Sequence, residues 1–166
     1  MKNKYNCISH RIKKSLYLLL VVIALPITAI AQNCNAELSV YKNRPYKSLD
    51  VSRTNKTIYK LKLTNTSSQK QTYSISTSQP DINCSNNTLK KRIGEDNAKL
   101  LVSFSQSINK KTLYPGQEFE FSVTVAAPKN SEIRKWGCVE VLVKTDNCST
   151  VTSKVLSTYI TKGEND

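Results

Sequence analysis

Along much of this chain apolar and polar side chains alternate over short runs, with turn-forming residues between the runs. Glu118 to Val125 is the clearest run: Phe119, Phe121, Val123 and Val125 fall on one side, and Glu118, Glu120, Ser122 and Thr124 on the other. Tyr59, Leu61 and Leu63 alternate with Lys60 and Lys62, Tyr73 and Ile75 with serines and threonine, and Val139, Val141 and Val143 with Glu140 and Leu142. A period of two puts one face of a sheet in a core and the other in water. Asn65–Gln69, Pro115-Gly116 and Thr145–Asn147 supply the turns between runs. The pattern predicts an all-β domain of about seven strands, at 36–41, 57–64, 72–78, 100–106 continuing into 111–114, 118–126, 138–144 and 149–160. Segment 79–98 is polar and patternless. It is expected to be a long surface loop, with room for one helical turn near Lys90.

The first residues follow another rule. Lys13-Lys14 precedes the apolar run Leu16–Leu25, followed by Pro26 and the small-residue pattern Ala29-Ile30-Ala31. A basic head, an apolar middle and an A-x-A site make a secretory signal peptide. Pro26 interrupts the run before the ~20 residues that a membrane span needs. The expected organisation is a leader, 1–31, and one domain, 32–166, exported to the periplasm or the outside. Five of the 25 basic residues and none of the 12 acidic ones lie in the leader, so cleavage takes the net charge from +13 to +8. The single histidine, His10, leaves as well. Without it no Ser-His-Asp or Cys-His pair and no histidine zinc site forms, which argues against an enzyme, a Ser-Lys dyad being the arrangement left open; no cofactor is expected.

Four cysteines remain: Cys34, Cys84, Cys138 and Cys148. An even number in an exported chain predicts two disulfides. A four-cysteine zinc site is disfavoured because no C-x-x-C spacing occurs. A lipid anchor on Cys34 is disfavoured because Asn33, not a small residue, precedes it.

One resemblance is carried by named stretches: Leu63-Thr-Asn-Thr, Thr72-Tyr-Ser-Ile-Ser, Val102-Ser-Phe-Ser, Thr112-Leu-Tyr-Pro-Gly-Gln117, and Phe121-Ser-Val-Thr-Val-Ala-Ala-Pro128. Over roughly 61–160 the chain resembles the bacterial Ig-like domains that accompany secreted glycosidases and adhesins. The resemblance implies an Ig-like antiparallel β-sandwich and a binding or support role. The four cysteines are not part of that family's usual pattern. The Ig-like strand order places Cys34 and Cys148 at one end of the sandwich, the top, and Cys84 and Cys138 at the bottom. It therefore implies the pairs Cys34–Cys148 and Cys84–Cys138. The alternative is a local Cys138–Cys148 bridge. In a hairpin turning at 145–147 those cysteines stand about 20 Å apart along the strand, against the roughly 7 Å a bridge tolerates, so it needs a longer turn.

The same strand order gathers charge. Loops 42–56, 79–99 and 127–137, all at the bottom, hold twelve basic residues against five acidic ones. The candidate anion-binding residues are Arg44, Lys47, Lys90, Lys91, Arg92, Arg134 and Lys135, with Trp136, the only tryptophan, beside them. Such a surface suits an anionic polysaccharide, a lipid headgroup or an envelope protein better than specific nucleic-acid binding. The bland account is that basic loops merely solvate the domain and that Trp136 covers the end of the core. Trp136-Gly137 also offers a sugar-stacking platform. Glu118 and Glu120, two apart on one strand face, fit an ion pair better than a catalytic acid pair: with strand 57–64 against 118–126, Lys62 falls beside Glu120 and Lys60 beside Ser122. Asn-x-Ser/Thr triplets at Asn55, Asn65, Asn83, Asn86 and Asn147 are frequent enough to arise by chance in so Asn- and Ser-rich a chain. The sequence thus predicts an exported, non-catalytic Ig-like binding or adhesion module. The alternative is a small secreted effector or inhibitor that binds another protein.

Overall fold

The structure is a computed structural model that describes residues 34–42, 44–80, 97–105, 108, 110–146 and 148–163. The expected leader, Cys84 and the basic run Lys90-Lys91-Arg92 lie outside the described residues. All described regular structure is β. Among the described residues nine strands form: β1 (Ala36–Val40), β2 (Tyr46–Asp50), β3 (Lys56–Asn65), β4 (Gln71–Ser78), β5 (Leu101–Phe104), β6 (Lys110–Leu113), β7 (Glu118–Ala126), β8 (Lys135–Thr145) and β9 (Cys148–Thr161).

They build two sheets, β1-β3-β7-β5 and β2-β9-β8-β4-β6, packed as an Ig-like sandwich. The alternating residues explain the packing. Tyr59, Leu61 and Leu63 of β3, Phe121, Val123 and Val125 of β7, and Val139, Val141 and Val143 of β8 are all buried in one core with Tyr73, Leu113, Leu156 and Ile160. Each residue buried this way contributes on the order of 1.5–3 kcal/mol. The β3–β7 register is the expected one, with Lys62 opposite Glu120 and Lys60 opposite Ser122.

The strand count departs from seven in two places. Tyr46–Asp50, expected in a loop, is β2, and it runs parallel to β9, from Tyr46 opposite Ser157 to Asp50 opposite Thr161. The run at 100–106 and 111–114 is not one strand. β5 pairs with β7 in the first sheet and β6 pairs with β4 in the second. Both flanks of the sandwich are therefore built alike: β1 hands over to β2, and β5 to β6, each pair splitting one edge between two sheets. Short edge strands leave little unpaired backbone for unwanted strand addition.

The top is pinned by polar groups from the motifs that carried the Ig-like resemblance. Asn65 is fully buried. Its side-chain amide donates to the carbonyls of Gln69 (2.8 Å) and Leu113 (3.0 Å), and its Oδ1 accepts from Ser67 Oγ (2.7 Å) and the Tyr73 hydroxyl (2.8 Å). Its backbone carbonyl accepts from Gly116 N at 2.8 Å. Gly116 has φ +73°, and Gln117 N closes the turn onto the Tyr114 carbonyl at 3.0 Å. Proline followed by a residue at positive φ is the type II arrangement, which favours glycine there. Asn65 is thus a structural hub, and its fully bonded amide is no glycan acceptor.

The Cys34–Cys148 disulfide is present at this top end, across a sequence separation of 114. It rules out the Cys138–Cys148 alternative, and it occupies the sulfur that a lipid anchor or zinc site would have used. Cys138 is also disulfide-bonded; its expected partner, Cys84, lies outside the described residues.

Candidate functional site

Candidate binding groups gather where the chain crosses from β1 to β2 around one flank of the sandwich. Lys42, Arg44, Tyr46 and Lys47 line a shallow surface depression there. Local chemistry positions each cation on an aromatic ring. Lys42 Nζ lies 4.7 Å from the centre of the Tyr41 ring. The Arg44 guanidinium lies 5.9 Å from the Tyr46 ring centre and donates to its hydroxyl at 3.4 Å. Lys47 Nζ lies 5.0 Å from the Tyr59 ring centre and donates to the Ile58 carbonyl at 2.5 Å. Rings of this kind attract a cation through their quadrupole without neutralising its charge as a bridging carboxylate would. Lys42 holds a backbone φ of +54°, uncommon for a residue with a Cβ.

The electrostatics of the three differ. Its hydrogen bond to Tyr41 raises the Lys42 pKa, with a smaller push from Glu120. Burial lowers the pKa of Lys47. Among the described residues none of the three forms a salt bridge. Other cations do: Lys62 with Glu118 (2.7 Å), Lys110 with Asp146 (3.1 Å), Lys135 with Glu132 (2.6 Å) and Arg53 with Asp50 (3.4 Å). The expected Lys62–Glu120 pair is corrected in detail: the residues are opposite each other, but the ammonium reaches along the strand to Glu118.

The sequence-predicted basic end divides. Arg44 and Lys47 sit on the β1–β2 flank, not in a bottom loop, because Tyr46–Asp50 is a strand. Arg134 and Lys135 do lie at the bottom, where β8 begins; Arg134 takes φ +60° and its N–H donates to the Ile160 carbonyl at 2.6 Å. Trp136 is neither in a loop nor a platform. It belongs to β8, is 8% exposed, and packs against Tyr159 with ring centres 5.0 Å apart. Trp136 and Cys138 form a second small cluster with Tyr46, Val155 and Tyr159. Its faces are therefore used in packing. Gly137 beside it is required by close approach, since a Cβ there would stand 2.8 Å from the Ala98 carbonyl oxygen as well as 2.6 Å from Leu100 Cδ1.

Sequence reasoning did not single out Tyr41 and Lys42 as binding groups. The available signal was the repeated Tyr–cation adjacency in Tyr41-Lys42 and Tyr46-Lys47. Among the described residues no group of three His, Cys, Asp or Glu is placed to hold a metal ion, and no helix is long and apolar enough to cross a membrane.

Comparison with protein-family models gives no match, and comparison with curated proteins gives none. Among solved structures the chain is similar to a FixG-related protein from Vibrio parahaemolyticus, at 14% identity and TM-score 0.46, over 77% of this chain and 97% of that one. It is also similar to the ASH/PapD-like domain 7 of human CEP192, at 12% identity and TM-score 0.46, over 84% and 94% of the two chains. A third similarity is to WR4, an MSP family member of C. elegans, at 6% identity and TM-score 0.37, over 75% and 96%.

Proposed function

We propose that this protein is an exported, non-catalytic Ig-like binding module that holds an anionic polymer or glycan at the cell envelope or outside the cell. The observation that carries the reading is the trio Lys42, Arg44 and Lys47: three cations set on tyrosine rings around one depression, with no carboxylate bridged to them among the described residues. Export is supported by the leader-like 1–31 segment and by the Cys34–Cys148 bridge, since such bonds persist in oxidising compartments. The half-buried Tyr41 and Tyr46 add flat apolar surface suited to sugar rings beside charges suited to carboxylate or sulfate groups.

The test is binding of residues 32–166 to an immobilised acidic polysaccharide such as heparin or alginate. Reversing Lys42, Arg44 and Lys47 to glutamate should weaken binding more than tenfold, the scale of losing more than one charge-assisted contact, with the circular dichroism spectrum unchanged. Equal binding by the folded triple variant would reject this surface.

A further inference from the structure

A second concavity lies at the bottom of the sandwich, where the chain entering β5 passes the turn between β7 and β8. It encloses about 330 Å³, with Asn97, Lys99, Asn130, Ser131, Glu132 and Lys135 supplying its polar groups and Ala98 and Pro128 in its apolar wall. That volume is at the small end of ligand sites and accommodates a single small polar molecule. The site shares no residue with the β1–β2 flank, and neither reading depends on the other.

The wall has a distinctive set of groups. Glu132 is held by Lys135 at 2.6 Å, yet a carboxylate has about four lone-pair positions, so it keeps acceptor capacity for hydroxyl groups. Ser131 Oγ donates to the Pro128 carbonyl at 2.8 Å, which leaves its oxygen an acceptor. Asn130 is exposed and brings an amide donor and an amide acceptor. Lys99 is exposed and has no salt-bridge partner among the described residues. Among the described residues no aromatic side chain lines the cavity, so a nucleobase finds nothing to stack on. A compact polyanion would face the Glu132 carboxylate at close range. A ring bearing several hydroxyls and one carboxylate on different sides satisfies the acceptors, the amide and the Lys99 ammonium together. We infer that this cavity binds a single acidic sugar residue, with Lys99 on its carboxylate and Asn130, Ser131 and Glu132 on its hydroxyls.

The test is a nuclear magnetic resonance titration of isotope-labelled residues 32–166 with D-glucuronate, D-glucose and sulfate. Glucuronate should shift the amides of residues 97–99 and 130–135, and glucose should bind the same place roughly tenfold more weakly, the scale of one charge-assisted contact. Lys99→Ala should bring glucuronate down to the glucose level, and Asn130→Ala should weaken both sugars. Lys144→Ala, at an exposed position of β8 that lines neither depression, should leave the shifts at 97–99 and 130–135 unchanged for both sugars, which separates this site from the general positive charge of the domain. Spectra away from the cavity serve as the fold control, with Lys99→Gln as the substitute if Lys99→Ala perturbs them. Three results would overturn the inference: no shifts at these residues with any sugar, equal binding of glucose and glucuronate, or sulfate matching glucuronate as at a bare anion site.

Discussion

At the scale of single residues, burial and charge sort the chain into positions that hold the fold and positions that do not. Leu61 and Phe121 face each other across the β3–β7 pair, at 0% and 4% exposure. Leu61→Ala and Phe121→Ala should each cost about 2–5 kcal/mol, as large-to-small core changes do. Glu120→Ala, on the opposite face and without a salt bridge among the described residues, should cost well under ~1 kcal/mol. Urea denaturation of the three variants checks the parity of the strand. Tyr59 makes a sharper case. Its hydroxyl donates to the Ser157 carbonyl at 2.7 Å and lies 3.0 Å from Thr158 Oγ1. Burial pushes its pKa from the usual 10 up to about 12, against a smaller opposing pull from the Thr158 hydrogen bond. The folded state therefore keeps a proton that the unfolded chain releases above about pH 10. Stability from this group is complete below pH 10 and falls between 10 and 12, by up to roughly 3 kcal/mol. Tyr59→Phe should be less stable at neutral pH, by about 1 kcal/mol for the lost hydrogen bond, yet show a flatter decline across that alkaline range. Denaturation midpoints at pH 8, 10 and 11.5 measure the difference.

At the scale of elements, the alternation was clearest in strands with two or more buried residues at period two, although β1 was also expected, at 36–41, with only Leu38 buried. β3, β4, β7 and the main part of β8 meet that condition. β2 does not: in Tyr46–Asp50 only Leu49 is buried, so alternation has nothing to register and the basic residues around it resemble a loop. β5 and β6 conceal a different fact. Both are extended, but the change of sheet between them is set by which edges the long strands leave open, a tertiary property invisible in a local pattern. The start of β8 was hidden because Trp136-Gly137 reads as a loop signal, whereas the glycine is there for the close passage of Ala98 and Leu100. The candidate site suffered accordingly. Its charges were legible in Arg44 and Lys47, but their position on a flank depended on the missed strand. The Cys34–Cys148 bridge was legible only through the Ig-like strand order that the resemblance implied, which puts those two cysteines at one end of the sandwich. Its removal by Cys34→Ser with Cys148→Ser should cost roughly 2–5 kcal/mol, the range for native bridges closing long loops. Comparing the oxidised protein with the double variant in urea gives that number.

For the molecule as a whole, a net charge of +8 after the expected cleavage makes long-range attraction the first step of any encounter with an acidic partner. The screening length falls from about 10 Å at 0.1 M salt to about 3 Å at 1 M. Binding of an acidic polysaccharide through the Lys42–Lys47 flank should therefore weaken several-fold or more over that interval, mostly through slower association. Surface plasmon resonance at four salt concentrations measures it, and a flat salt response would point instead to stacking on Tyr41 and Tyr46.

The Cys34–Cys148 bridge also fixes how the domain carries mechanical load. Cys34 leads into the first strand, and Cys148 opens the last. Tension applied between the segment ahead of Cys34 and the end of β9 enters the bridge and passes directly into β9, so the chain from 35 to 147 lies off the line of force. β9 is held laterally by its long antiparallel ladder to β8 and by parallel β2, and those ladders are loaded in shear. Under oxidising conditions a pulled domain can lengthen only by the short stretch after Cys148. Reduction would place the shielded residues on the force line and release about 3.3–3.6 Å for each of them. Oxidation state, not sandwich stability, would then set the extensibility of any assembly that strings this domain between two anchors.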